Sequence, residues 1–120
     1  MSGNFEEFLP YIDIEDVKSR LGDSALEFYP MLLGEFLENH SAEDVEVKLT
    51  EGDFAGAKSA AHMIKGLAAN LSLKLLHEKS IEIEGKIIAQ ACTMKEASEF
   101  KELALTTREW IEKFIEVADA

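Results

Sequence analysis

The chain has 120 residues, with 24 acidic side chains against 12 basic ones, so its formal net charge is −12. A protein this acidic repels polyphosphates and anionic lipids, which argues against nonspecific nucleic-acid binding and against docking on an anionic membrane. The length fits one domain, spanning residues 1–120, and a hydrophobic fraction of 47% is too high for a disordered acidic tail.

The features that report on cellular location all favour the cytoplasm. Cys92 is the only cysteine, so the chain cannot form an internal disulfide. The first ten residues lack the basic cluster and apolar stretch of a secretory signal. No apolar run approaches the roughly 18 residues that span a bilayer. We therefore expect a soluble, cytoplasmic protein.

The N-terminal quarter predicts short helices. Apolar residues recur three and four apart nearly throughout the chain, which is the period of helices and not of strands. An amphipathic piece over residues 5–9 leads to Pro10, and a second helix begins at Asp13 and ends at Gly22.

A third helix is predicted after this glycine. Ser24 and Glu27 have the spacing of a capping box, which predicts the start of the helix. Pro30 should kink or restart it, because an interior proline removes a backbone donor. A corner is expected at residues 39–41. The apolar side of this helix comprises Leu26, Phe28, Tyr29, Leu32, Leu33, Phe36 and Leu37.

The central segment predicts a short helix and then a long one. The short helix carries Val45, Val47 and Leu49 and ends at Gly52, after which Asp53 can cap the next helix. The core stripe of the long helix is Phe54, Ala57, Ala61, Ile64, Ala68 and Leu71.

The C-terminal half continues the helical pattern after a distortion at residues 70–72. The next apolar positions are Leu73, Leu76, Ile83, Ile87 and Ile88. Thr93 and Glu96 form a second capping box, which predicts the start of the last helix. The buried face of that helix is Ala97, Phe100, Leu103, Thr107, Trp110, Ile111 and Phe114. Together these elements predict an all-α fold, an up-and-down antiparallel four-helix bundle with short N-terminal helices packed across it.

Several kinds of site lack their sequence patterns. No Glu precedes a His by three residues, which argues against a di-iron bundle, and no CxxC or HExxH spacing indicates zinc. Neither a GxxxxGK loop nor a GxGxxG pattern occurs, so we expect no nucleotide site, no bound cofactor and no metal.

His62 has an unusual setting on the long helix. At about 100° per residue it lies roughly opposite the core stripe, and so does Gly66. The residues that share its surface strip are all small, which leaves the imidazole accessible. They are Ala55, Ser59, Gly66 and Ala69. A glycine inside a helix costs about 1 kcal/mol relative to alanine, and close approach of another molecule would explain it.

Lysines surround His62 while acidic residues are missing. Lys58 and Lys65 lie four before and three after it, within reach on the same helix. Residues 54–77 carry a charge of +3 from Lys58, Lys65 and Lys74, so the rest of the chain carries −15. Neutral imidazole is a nucleophile and ammonium groups stabilise phosphoryl oxygens, so the pattern favours phosphoryl transfer at His62.

Structural interpretations stay open beside this one. A single surface histidine is commonly only a solvated residue, and Gly66 can simply allow tight helix packing. We interpret His77, Cys92 and Trp110 as structural and His40 as a partner for a helix C-terminus. The acidic residues of Glu78–Glu84 and of residues 95–102 are interpreted as solvated helix faces.

The stretch AHMIKGLAANLSLKLL at residues 61–76 strongly resembles the AHxxKG signature of histidine-containing phosphotransfer (HPt) domains. The flanks are similar too, with LGD at residues 21–23, FLE at 36–38 and EGD at 51–53. The resemblance runs from about Asp13 into the last helix. One position departs from the family, which often has glycine where this chain has Ser72.

The resemblance implies a phosphorelay intermediate. His62 would accept a phosphoryl group from an aspartyl phosphate and pass it on, with Lys65 steadying the phosphoryl oxygens and Gly66 giving the partner room. Expected partners are response-regulator receiver domains and a hybrid sensor histidine kinase, with Mg²⁺ on the receiver. The chain would be a monomeric carrier and not an enzyme. Lys58, Ser59 and Ala69 are secondary site candidates from helix geometry.

Two other functions stay open at this stage. One is a helical adaptor of the same fold that binds receiver domains without accepting phosphate. The other is a phosphoacceptor domain taken from a larger chemotaxis-type kinase. Whether the chain is a separate phosphorelay intermediate or a domain of a larger kinase, partners are expected to dock where acidic residues are missing, around Lys58, Lys65 and Lys74.

Overall fold

The computed structural model of the protein describes residues 6–39 and 42–118. This part of the chain is helical and contains no strand, which confirms the all-α prediction. The α-helices are α1 (Ile14–Leu21), α2 (Tyr29–Asn39), α3 (Glu43–Thr50), α4 (Phe54–Asn70), α5 (Lys74–Ile88) and α6 (Met94–Ala118). Two short 3₁₀ helices cover Glu6–Phe8 and Asp23–Glu27. Phe5 and His40 lie outside the described residues.

Asp13, Gly22 and Thr93 mark helix ends, as their sequence signals predict. Asp13 caps α1 by accepting a hydrogen bond from the Asp16 N–H, and α1 ends at Gly22, whose φ of 84° is in the left-handed region. At α6, the Glu96 N–H donates to the Thr93 hydroxyl while Glu96 accepts from the Thr93 N–H. The second predicted capping box is therefore confirmed.

The prediction that Ser24 and Glu27 form a capping box at the start of an α-helix is wrong. Residues Asp23–Glu27 form a 3₁₀ helix, which ends where the Phe28 N–H donates to the Ala25 carbonyl. The α-helix begins only at Tyr29, with Pro30 in its first turn, where a backbone N–H has no intrahelical acceptor. Pro30 thus restarts the helix, one of the two outcomes predicted for it.

The long helices bury a common core. α4 packs between α3 and α5, α5 also packs on α6, and α6 contacts α2 and α3. The predicted stripe of α4 is buried from Ala57 to Leu71, but Phe54 is exposed, and Ile88 is exposed at the end of α5. Both predictions fail in a terminal turn, where a side chain can project past the neighbouring helix.

Aromatic side chains attach the N-terminal segment to α6. The Phe8 ring lies edge-on to Trp110 and to Phe114, with centroid distances of 5.7 and 5.4 Å. Tyr11 stacks on Trp110 at 5.6 Å. Since Phe8 and Phe114 are almost fully buried, this segment belongs to the core and does not merely cover it.

Helix α1 fixes the corner between α4 and α5. The Arg20 guanidinium donates to the Asn70 carbonyl at 3.1 Å and to the Ser72 hydroxyl at 2.6 Å, and Ser72 donates to Asp16 at 2.7 Å. Ser72 has a φ of 56°, a conformation that glycine adopts more easily. The hydrogen bonds of its side chain explain how serine is accommodated at this corner.

Candidate functional site

Helix α4 presents His62 to solvent. Asp53 starts the helix by accepting a hydrogen bond from the Gly56 N–H at 2.8 Å, and Ala61 and Ile64 face the core. These contacts set the rotation of α4, so the His62 side chain points outward and is 70% exposed. The predicted solvent-facing position of His62 is confirmed.

Glu84 of α5 contacts both His62 and Lys65. Its Oε2 lies 2.7 Å from His62 Nδ1, and its Oε1 accepts a hydrogen bond from Lys65 Nζ at 2.6 Å. The Glu84 side chain is only 11% exposed, so both contacts form at the edge of the core. One carboxylate therefore orients the imidazole and the ammonium group together.

The Glu84 contacts also determine which imidazole nitrogen is free. The hydrogen bond from Lys65 lowers the pKa of Glu84, and the hydrogen bond to His62 acts in the same direction against the opposing effect of burial. An ionised carboxylate only accepts hydrogen bonds, so Nδ1 of His62 carries a proton. In the neutral ring, Nε2 then holds the lone pair and is the nucleophilic atom.

Gly66 lies one turn of helix after His62 and packs against none of the described residues outside its own turn. A Cβ placed on Gly66 would have no heavy atom of the described residues within 4 Å beyond its own turn of helix. The structural alternative, that this glycine permits close packing of a neighbouring helix, is wrong. The open space on Gly66 is available to another molecule.

The remaining candidates have different surroundings. Lys58 and Ser59 are exposed on α4, and within the described residues no hydrogen bond or ion pair joins either of them to His62. Ala69 is half-buried, and its carbonyl accepts a hydrogen bond from Arg20 at 3.3 Å. Ala69 thus contributes to the α1 contact at the end of α4.

Sequence reasoning missed Glu84. The interpretation of Glu78–Glu84 as a solvated helix face is wrong at its last residue, because Glu84 is buried. A signal was present, since Glu84 comes directly after Ile83 and three residues before Ile87, both in the core. A carboxylate beside core positions requires a charged or hydrogen-bonding partner.

Glu84 also changes the charge of the site. Residues 54–77 contain no acidic side chain, but α5 brings a carboxylate into contact with Lys65. Lys65 is therefore paired, while Lys58 has no ion-pair partner in the described part of the chain. A lysine ammonium has three donors, so Lys65 can hold Glu84 and still donate to a phosphoryl oxygen.

Neither a cluster of metal-ligating side chains nor a membrane-spanning helix occurs in the part of the chain that the structure describes. Across residues 6–39 and 42–118, no three His, Cys, Asp or Glu side chains are grouped as metal ligands. The helices of those residues are all too short or too polar to cross a membrane. The chain matches no family model, no curated protein sequence and no solved structure.

Proposed function

We propose that the chain is a phosphorelay intermediate of the HPt type, with His62 as the phosphoacceptor. The observation that carries this proposal is the contact between Glu84 and His62 Nδ1, which leaves Nε2 of an exposed imidazole free. An exposed histidine without such a contact would rotate and exchange its proton between the two nitrogens.

The geometry supports a direct transfer step. Nε2 attacks the phosphorus of an aspartyl phosphate on the partner, so that the N–P bond forms while the P–O bond to the aspartate breaks. The aspartate leaves as a carboxylate, and Glu84 stabilises the positive charge that develops on the ring through the Nδ1 proton. Transfer to a second aspartate is the reverse of this step.

The remaining components of the proposal follow the resemblance. The partners are response-regulator receiver domains and a hybrid sensor histidine kinase, and the receiver brings Mg²⁺. The chain acts as a monomeric carrier in the cytoplasm, without an ATP site of its own. The contacts among α3, α4, α5 and α6 support the four-helix bundle that the family uses.

Phosphorylation of the protein tests the proposal. Purified wild-type protein is incubated with phosphoramidate and, separately, with receiver domains charged by acetyl phosphate. We expect a label that is labile in acid and stable in base, located on Nε2 by NMR, and absent from His62→Gln. His77→Gln is the matched control and should be labelled like the wild type.

A label that persists in His62→Gln would contradict the proposal, and so would failure of every donor to label the wild type. The adaptor alternative makes a different prediction. An adaptor would bind receiver domains equally well as wild type and as His62→Ala, with no phosphohistidine detected.

A further inference from the structure

Two apolar surfaces flank the His62 site. On α5, Ile81 and Ile88 are 51% and 59% exposed, and Gly85 lies between them; we name these three residues the α5 flank. On the other side, Leu21 of α1 and Leu32 of α2 are exposed beside a groove of about 530 Å³, which Leu67 of α4 also lines. A protein that reaches His62 can extend over either surface.

The position of the imidazole favours the α5 flank. Ile81 precedes Glu84 by three residues and Ile88 follows it by four, so all three lie on the same side of α5. Glu84 holds His62 Nδ1 at 2.7 Å, which draws the ring toward this side. A partner that contacts Nε2 therefore also approaches Ile81 and Ile88.

Gly85 leaves open space on the α5 flank. It lies in the interior of α5, and a Cβ placed on it would have none of the described atoms within 4 Å beyond its own turn. A glycine in a helix interior costs about 1 kcal/mol relative to alanine. Gly66 of α4 and Gly34 of α2 have the same open space among the described residues, but Gly85 directly follows Glu84, the residue that contacts His62.

The distribution of charge also favours the α5 flank over the α2 side. Residues 21–39, on the α2 side, contain four carboxylates and no cationic side chain, and Arg20, which lines the groove there, is paired with Asp16. Helix α5 contains three lysines and three glutamates, and Glu82 and Glu84 are paired with lysines. Lys58 adds an exposed cation in the strip of His62. A phosphate-bearing partner thus meets less repulsion over α5.

We propose that the protein which exchanges phosphate with His62 docks across the α5 flank. This inference rests on the proposed function. The partner's docking surface is apolar where it covers Ile81 and Ile88 and anionic at the carboxylate that carries the phosphoryl group.

Transfer kinetics with two donors test the inference. The variant Ile81→Ser/Ile88→Ser is compared with wild type, using a phosphorylated receiver domain that labels the wild type and, separately, phosphoramidate. We expect the KM for the receiver to rise about tenfold or more, because the variant loses two apolar contacts that the docked receiver would bury. Labelling by phosphoramidate should stay within about twofold of wild type, as this small donor needs no docking surface.

Two control variants locate the effect. Leu105→Ser removes an exposed apolar residue of α6 and should leave transfer from the receiver unchanged. Leu21→Ser/Leu32→Ser tests the groove on the α2 side. Unchanged receiver transfer in the α5 variant would overturn the inference, whatever the α2 variant does.

Loss of phosphoramidate labelling in the α5 variant would also overturn it, because the two isoleucines would then act on the site and not on docking. The proposed function fails separately, when neither donor labels the wild-type protein. Failure of docking at the α5 flank leaves wild-type labelling intact.

Discussion

Glu84 has two roles at the scale of single residues, since it fixes the tautomer of His62 and pairs with Lys65. A glutamine at this position cannot serve both neighbours. If its carbonyl accepts from Nδ1, its NH₂ group faces the Lys65 ammonium. If its NH₂ group donates to Nδ1, the ring proton moves to Nε2, and Nε2 then no longer has the lone pair that attacks phosphorus.

Glu84→Gln should therefore slow phosphorylation of His62 by phosphoramidate. A hydrogen bond to a charged group contributes about 1.5–3 kcal/mol, which corresponds to a rate loss of roughly tenfold to a hundredfold. Nitrogen-15 NMR of the imidazole should show the proton on Nδ1 in the wild type and a shifted tautomer population in the variant.

Glu82→Gln is the matched control for this variant. It removes a carboxylate from the same helix, one that pairs with Lys79 and Lys86 instead of His62. An equal rate loss in both variants, or an unchanged tautomer in Glu84→Gln, would count against the assigned role.

The pH dependence of stability gives a second readout for Glu84. Its pKa is lowered in the folded protein, so its ionised form stabilises the fold at pH values above the ordinary glutamate pKa of about 4.3. That contribution disappears as pH falls through the lowered pKa. The difference in unfolding free energy between wild type and Glu84→Gln should accordingly shrink in acid, as measured by urea unfolding.

At the scale of the helices, a substitution at Gly66 should change stability and phosphoryl transfer in opposite directions. Gly66→Ala should stabilise the fold by up to about 1 kcal/mol, because alanine favours the helix and its Cβ meets open space. The same methyl group stands where a partner approaches, so transfer from a receiver should slow while phosphoramidate labelling does not. Thermal unfolding and transfer kinetics measure the two effects.

Gly34 of α2 provides the control for Gly66. It is also a glycine inside a helix with open space at its Cβ position, and it lies on a different helix from His62. Gly34→Ala should raise stability to a similar extent and leave transfer unchanged. If Gly66→Ala transfers phosphate as fast as Gly34→Ala, the partner does not approach Gly66 closely.

Helix positions were largely predictable because capping residues and glycine stops are local signals. Asp13, Gly22 and Asp53 act within one turn of chain, and the sequence locates each of them. The segment at Asp23–Glu27 was not predictable in this way, since a short-range capping pattern does not distinguish a 3₁₀ turn from an α-helix.

The site was predictable only on its own helix. The exposure of His62 and Gly66 follows from the rotation of α4, which the apolar stripe determines. The Glu84 contact depends on the register between α4 and α5, a relation between residues 22 positions apart that helical periodicity does not specify.

At the scale of the whole molecule, the distribution of charge has more consequence than the total of −12. Residues 54–77 contain no acidic side chain. Among the contacts of the described residues, the one carboxylate that reaches His62 is that of Glu84, which is also paired with Lys65. An anionic partner is therefore repelled by most of the molecule and least by the face that carries His62. Such an arrangement acts mainly on the association rate.

Salt dependence distinguishes this local effect from the total charge. Lys58→Gln/Lys74→Gln removes two cations from residues 54–77, the segment that carries His62, and Lys95→Gln/Lys113→Gln removes two from α6. Both variants have a net charge of −14 against −12 in the wild type. At low ionic strength, we expect the association rate with a receiver that labels the wild type to fall several-fold in the first variant only. The difference should vanish near 1 M salt, where the screening length is about 3 Å. Equal rates in the two variants at low salt, measured by stopped flow, would mean that the face of His62 does not steer the partner.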